Sequence, residues 1–482
     1  MQNFINVSNN KNYSKKWLIF IVILLAIVIL LSVFTKIETE SGNSNDHDDK
    51  YYSNIAWMLT ATALVMIMTM PGLAFYYGGF SLKNSQLNTM AMVFVSYVIV
   101  AIIWVVYGYS LAFGETNGGV IGNLNKFFLY GVKSSDQVDN MPEFIYVLFQ
   151  FTFAAITVAL VSGGLIERIK FTSWLLFVVL WTTLVYIPIA HWVWANEGFL
   201  KKYSVIDFAG GTVVHLNSGI ATLMGTIILG ERLNRHENPR SMPYILLGTC
   251  LLWFGFLGFN GGSAYGANER AAAALINTNT SAAVSSFVWL LMQNFHSGKP
   301  TLAGMCDGAI AGLVGITPAA GNVNIMGAFI IGIIEGASLY WVILWKTKFN
   351  LYDDTFNTFA LHCVAGSFGA ILTGLYADSE ICRISHESGV KTKCEDGFIF
   401  GNYMQLPKQL IGVSVCLAYS ALMSCLILVF LKKTFGLRVT KEEELAGVDL
   451  SQHGENPYPE FSEQELFNVK FISESFANVP VT

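Results

Sequence analysis

Charge is what this chain of 482 residues has least of: acidic and basic side chains make up 13% of it, against 53% apolar residues. With so few charges and a positive mean hydropathy, an ordinary soluble globule is excluded and an integral membrane protein is expected. There is no basic tract of the kind that neutralises phosphates, so no nucleic-acid partner is expected. Cysteine is also scarce, and the seven present have no zinc-type spacing. Cys250, Cys306, Cys363, Cys416 and Cys425 fall in apolar runs, where a buried thiol acts as a small hydrophobe. Cys382 and Cys394 share one hydrophilic loop and could pair if that loop faces an oxidising side. No nucleophile and base are paired and no metal triad is evident, so neither an enzyme nor a cofactor or metal site is expected. Carbonyl-rich filter motifs and acidic rings are missing too, which argues against a non-selective cation channel.

What the chain does have is long apolar runs. Trp17 to Phe34 is an unbroken run of eighteen behind Lys15-Lys16, in a 1–50 segment that reads as either a cleavable signal peptide or an uncleaved anchor and extra N-terminal helix. Eleven further runs of membrane length follow, near 54–80, 87–113, 143–165, 171–192, 208–230, 243–262, 271–294, 303–317, 323–346, 356–376 and 408–432. They define an all-α, multi-pass membrane domain over 51–434, immersed in a lipid bilayer. The short connections that would be cytoplasmic hold Lys83, Arg168, Lys170, Arg232, Arg235, Arg240, Lys299, Lys346 and Lys348. From 435 to 482 the chain turns polar and acidic, and this tail should lie in the cytoplasm.

Two runs carry a carboxylate and a histidine at the same interval: Asp207 precedes His215 by eight residues, and Asp354 precedes His362 by eight. Eight helical residues would carry each imidazole about 12 Å inward, close to the middle of a hydrocarbon slab of about 30 Å. These runs are the fifth and tenth, so they cross in opposite directions. A second echo links Tyr76-Tyr77-Gly78-Gly79-Phe80 in the first run to Phe259-Asn260-Gly261-Gly262-Ser263 in the sixth. Both echoes fit a core of two inverted five-helix repeats plus a final helix, with the site where the repeats meet. One intramembrane histidine can be a satisfied helix bridge; two at matched depth point to function. Neutral and adjacent, they could pass a proton or hold a small polar molecule in a dry tube.

An aromatic group accompanies them. Phe149 and Phe153 share a helix face, Phe259 is followed four residues later by Ser263, and the loop expected after the fourth run supplies Trp192 and Trp194 beside His191. Any one of these reads as part of an interfacial aromatic belt. Together they could bind a small cation through ring quadrupoles, worth about 1–2 kcal/mol where water is partly excluded, with the serine oxygen accepting from it. Asp207 reads as a helix cap whose charge also favours cations nearby. Glu167-Arg168 and Asp353-Asp354 read as structural helix ends.

These residues resemble the Amt/Mep/Rh ammonium transporter family, in its Amt/Mep branch, over about 54 to 460. The likeness extends to Pro71-Gly72, to Trp104-Val105-Val106-Tyr107-Gly108-Tyr109-Ser110, to Gly163-Gly164-Leu165-Ile166-Glu167-Arg168 and to Gly308-Ala309-Ile310-Ala311-Gly312 through Thr317-Pro318. In the tail it includes Gly436-Leu437-Arg438-Val439 and Asp449-Leu450-Ser451-Gln452-His453-Gly454. The resemblance implies an eleven-helix core, a homotrimer with one pore per subunit, and a cytoplasmic regulatory tail coupling neighbours. Phe149, Trp194 and Ser263 would form an outer ammonium site supported by Asp207. Phe153 and Phe259 would be a stacked gate, and His215 and His362 the pore-lining pair. The substrate would be ammonium or ammonia, with methylammonium as analogue; an ammonium sensor signalling through the tail is the alternative. A cell membrane is expected, with an internal vesicle membrane left open. The chain departs from the family around His362, where Asn357 stands in place of the usual aspartate and Cys363 in place of glycine.

Overall fold

The computed structural model describes residues 49–458 except 134, 140, 236–239, 350 and 384–393. The apolar run at 17–34 and the tail beyond 458 lie outside the described residues. Eleven helical rods run back and forth: α1 (Asp49–Phe80), α2 (Lys83–Phe113), α3 (Glu143–Gly164), α4 (Phe171–Lys202), α5 (Gly211–Leu229), α6 (Met242–Gly262), α7 (Glu269–Ser297), α8 (Leu302–Ile316), α9 (Ile325–Phe349), α10 (Phe359–Tyr376) and α11 (Gln405–Thr434). Helix is the form these segments must take, because lipid offers no partners and each segment satisfies its own N–H and C=O groups. Among the described residues nine rods are long and apolar enough to cross a bilayer; α8 is shorter and α7 more polar. The architecture is the expected inverted pair of five-helix units followed by α11. Among the described residues, extended structure comprises two short hairpins in the connection between α2 and α3 and an isolated antiparallel bridge between Ile169 and Arg438.

The rods are not uniform. Five contain a π-helical turn, at Met68–Leu73, Trp104–Gly108, Thr182–Tyr186, Gly211–Leu216 and Phe359–Val364. Such turns leave a helix locally under-bonded and recur at functional sites. The last two carry His215 and His362.

At the rod ends away from α2's terminus at Phe113, a buried charge cluster ties loops together. Arg232 bonds Asp353 at 2.6 Å and Glu167 at 2.9 Å, and Arg168 donates to the Asp353 carbonyl at 2.8 Å. Burial alone would raise the Asp353 carboxyl, but the Arg232 hydrogen bonds and the Arg168 charge hold it well below the usual carboxylate range. Burial also lowers Arg168, to about 10. Glu167-Arg168 and Asp353 therefore do have structural roles. The tail docks on this same end. Lys170 N donates to Leu437 O at 3.0 Å and Val439 N to Arg168 O at 3.0 Å, while Asp449 accepts from Leu87 N and Asn88 N at 3.0 and 2.7 Å. At the opposite end Cys382 and Cys394 are joined in a disulfide.

Candidate functional site

The site is built on how α5 and α10 begin. The sequence suggests eight helical residues between each aspartate and its histidine; the structure has about half that, preceded by non-helical backbone. The helix of α5 starts at Gly211 because Gly210 has a φ of 110°, a left-handed conformation open to glycine. In α10 the equivalent position is Asn357, with a φ of 54°, and asparagine is among the few other residues that tolerate it. Asp207 and Asp354 each stand three residues before that turn.

Their carboxylates cap the helices beyond it. Asp207 accepts from the backbone N–H groups of Gly210, Gly211, Thr212 and Val213 at 2.7–3.1 Å, and from the Thr212 hydroxyl. Asp354 accepts from Phe359 N at 2.8 Å. Capping therefore occupies the Asp207 oxygens, and its charge acts on the site at a distance. Because the two helices are antiparallel, each cap delivers its histidine from an opposite end. His215 Nδ1 and His362 Nδ1 meet at 3.1 Å, with ring planes 17° apart, and the rings are 1% and 6% exposed. One of those nitrogens donates and the other accepts, so the pair shares a single proton position between them. His215 Nε2 has no hydrogen-bond partner, a costly state for a buried nitrogen and one that suits a group meant to meet a polar guest.

Gly219 of α5 lies so close that a Cβ there would overlap the Cys363 backbone and Cβ. The nearest of these atoms is the Cys363 N, so the close approach of α5 and α10 requires glycine at 219.

A file of rings leads from His215 towards the end opposite the tail. His215 lies 5.7 Å from Phe256 and 6.0 Å from Phe259. Phe259 stacks on Phe153 at 4.0 Å and 19°, and Phe153 meets Trp194 edge-on at 5.5 Å. Beyond Trp194 opens a cavity of about 440 Å3, lined by Trp194, Asp207, Ser263, Tyr109, Tyr146 and Tyr265 among others. Ser263 Oγ donates to Phe259 O at 2.9 Å, so its hydrogen is engaged and its lone pairs are free for a donor. The Trp194 indole is fixed by its own bond to Asp207 O, at 2.9 Å.

The expected residues thus come together, with adjustments. Phe149 is fully buried, 4.9 Å from Phe153 and packed against Gly262. Phe153 is the ring that faces Trp194. The helix of α4 continues through Trp194, so His191 and Trp192 lie on a helix and turn away: both His191 ring nitrogens are bonded, to Ala112 O and Thr116 Oγ1, and Trp192 donates to Val120 O. The sequence reading missed Tyr146, Tyr265 and Phe256. Two had a signal: Tyr146 shares the face of Phe149 and Phe153, and Phe256 precedes Phe259 by three. Among the described residues no group of three His, Cys, Asp or Glu side chains is placed to hold a metal ion.

An aromatic, carboxylate-flanked bowl above two stacked rings and a buried imidazole pair can select a small donor-rich cation and admit something smaller below. The model of the Ammonium Transporter Family matches residues 56–458. An ammonium transporter of Aquifex aeolicus is 44% identical over 432 residues, which cover 89% of this chain and 98% of that protein. The crystal structure of Saccharomyces cerevisiae Mep2 superimposes with a TM-score of 0.77 at 35% identity, covering 83% of this chain and 91% of that one. A structure described as a sensor Amt protein matches with a TM-score of 0.75 at 27% identity, over 84% of this chain and 99% of that one.

Proposed function

The chain belongs to the ammonium transporter family, and from that premise we propose that it carries ammonium across a membrane through a pore within each subunit. Ammonium is recruited in the bowl by the Trp194 and Phe153 rings, with the free lone pairs of Ser263 accepting one of its four N–H donors. The Asp207 charge favours a cation there without direct contact. Phe149 supports Phe153 from behind.

Below the bowl the path must pass Phe153 and Phe259, a gate of two rings in contact. An intact ion would lose its hydration in the apolar tube beyond, at a cost the tube does not return. Neutral ammonia loses much less. The ion therefore gives up its proton near the gate, either to solvent on the bowl side or to the His215–His362 pair that relays it, and ammonia passes. The single observation that carries this reading is the 3.1 Å contact between two buried imidazoles delivered by opposite halves of the fold.

The protein is a multi-pass membrane protein. We read it as a homotrimer in the cell membrane, with the bowl outside and the docked tail in the cytoplasm; an internal vesicle membrane would place the bowl in the lumen. Uptake of radiolabelled methylammonium by cells lacking their own transporters tests the reading, and saturable uptake above background is the expected result. The sensor relative favours a second reading, in which occupancy of the bowl is signalled through the tail. Ammonium binding without saturable uptake would select it.

A further inference from the structure

The two halves of the molecule treat the main-chain oxygen of their capping aspartates differently. In the first half Asp207 O accepts the Trp194 indole N–H at 2.9 Å, and Trp194 is carried by α4. In the second half Asp354 O accepts Lys346 Nζ at 2.6 Å. Lys346 lies in the last turn of α9, the helix that holds the place of α4 in the second repeat.

The lysine head is buried and enclosed. It is 4% exposed, donates also to Asn357 Oδ1 at 3.0 Å, and lies 5.8 Å from the centre of the Tyr352 ring. Asp307 is nearby and is itself bonded by the Tyr76 hydroxyl at 2.7 Å. Where the bowl presents aromatic faces and serine lone pairs to a mobile cation, the opposite end already contains a cation on a four-carbon stem. A lysine head and an ammonium ion offer the same kind of group, a compact positive charge with N–H donors and no acceptor. Lys346 itself takes up Asp354 O and Asn357 Oδ1, and a second positive charge beside it would be repelled.

We propose that Lys346 is a tethered cation that makes ammonium recognition one-sided: ions are recruited from the bowl and refused at the end where α10 begins. Neutral ammonia carries no charge and passes Lys346 freely. The proposal rests on the reading of the chain as an ammonium transporter. It adds a residue that sets from which side the ion is taken up.

The test measures radiolabelled methylammonium flux in right-side-out and inside-out vesicles from the same cells, with the lysine end assigned by protease access to the docked tail. For the unaltered protein, half-saturation from the lysine end should lie at least about tenfold above that from the bowl. Lys346→Met should lower the lysine-end value and leave the bowl-end value unchanged, while Lys346→Arg should preserve the difference. Equal half-saturation from both faces of the unaltered protein would overturn the proposal. So would a Lys346→Met protein that reaches the membrane with its lysine-end value unmoved. If the methionine variant does not reach the membrane, the two-face comparison and the arginine variant still decide. Absence of saturable flux from either face of the unaltered protein would instead reject the transporter reading.

Discussion

His215 Nδ1 and His362 Nδ1 lie 3.1 Å apart, although 147 residues separate them in the chain. Each is held there by its own capping aspartate and π-helical turn, so neither ring can leave without disturbing the start of its helix. The spacing is set by backbone, and a substitution at either histidine changes chemistry before it changes fold.

His215→Ala should reduce methylammonium uptake to background while the protein still reaches the membrane in its normal assembly. Uptake assays beside a quantitative membrane blot check this; uptake at the unaltered rate would mean that the imidazole pair is not on the conduction path.

Trp194→Leu removes the ring that meets Phe153 edge-on and faces the bowl. A lost cation–ring contact of about 1–2 kcal/mol corresponds to a rise of roughly 5- to 30-fold in half-saturation. The maximal rate should change less. A concentration dependence identical to that of the unaltered protein would remove Trp194 from the recruiting site.

Gly219→Ala should impair both assembly and uptake, because the new Cβ would overlap Cys363. Cys363→Gly in the same chain should recover little of the loss, because the new Cβ still meets the backbone N and Cα of residue 363. Recovery to the unaltered level in the double variant would mean that the Cys363 side chain, and not its backbone, limits the approach of the two helices.

Arg232→Ala leaves the buried carboxylates of Glu167 and Asp353 without their main partner, a change that typically costs about 3–5 kcal/mol. Thermal unfolding in detergent should show it as a large fall in midpoint. The acid dependence has a definite sign. The Asp353 carboxyl is held below its unfolded value, so its contribution is complete above about pH 4 and is lost as pH falls through the range beneath. Asp353→Asn should accordingly flatten the decline in stability on acidification. A variant that declines as steeply as the unaltered protein would assign acid sensitivity to other carboxylates.

The eleven rods could be read from hydropathy because lipid imposes a length and a composition that each segment carries independently of the others. The paired Asp-to-His intervals were equally visible, and the inverted repeat came from counting crossings between them. The local path was harder to read. The glycine at 210 and the asparagine at 357 turn the backbone just before each helix, so the intervals matched for a reason other than eight helical residues. Phe149 and Phe153 share one helix face in sequence, and only the tertiary structure sets Phe153 edge-on to Trp194 and Phe149 against Gly262.

By itself, then, the sequence determined that the chain is a membrane protein of two related halves, and which residues are candidates. These are properties of one segment at a time. The tertiary structure decided that the imidazoles touch, that Asp207 spends its oxygens on backbone N–H groups, and that Lys346 occupies the place at one end which Trp194 holds at the other. Those relations depend on the rotation and close approach of helices far apart in the chain, which hydropathy, a quantity averaged along a segment, does not encode.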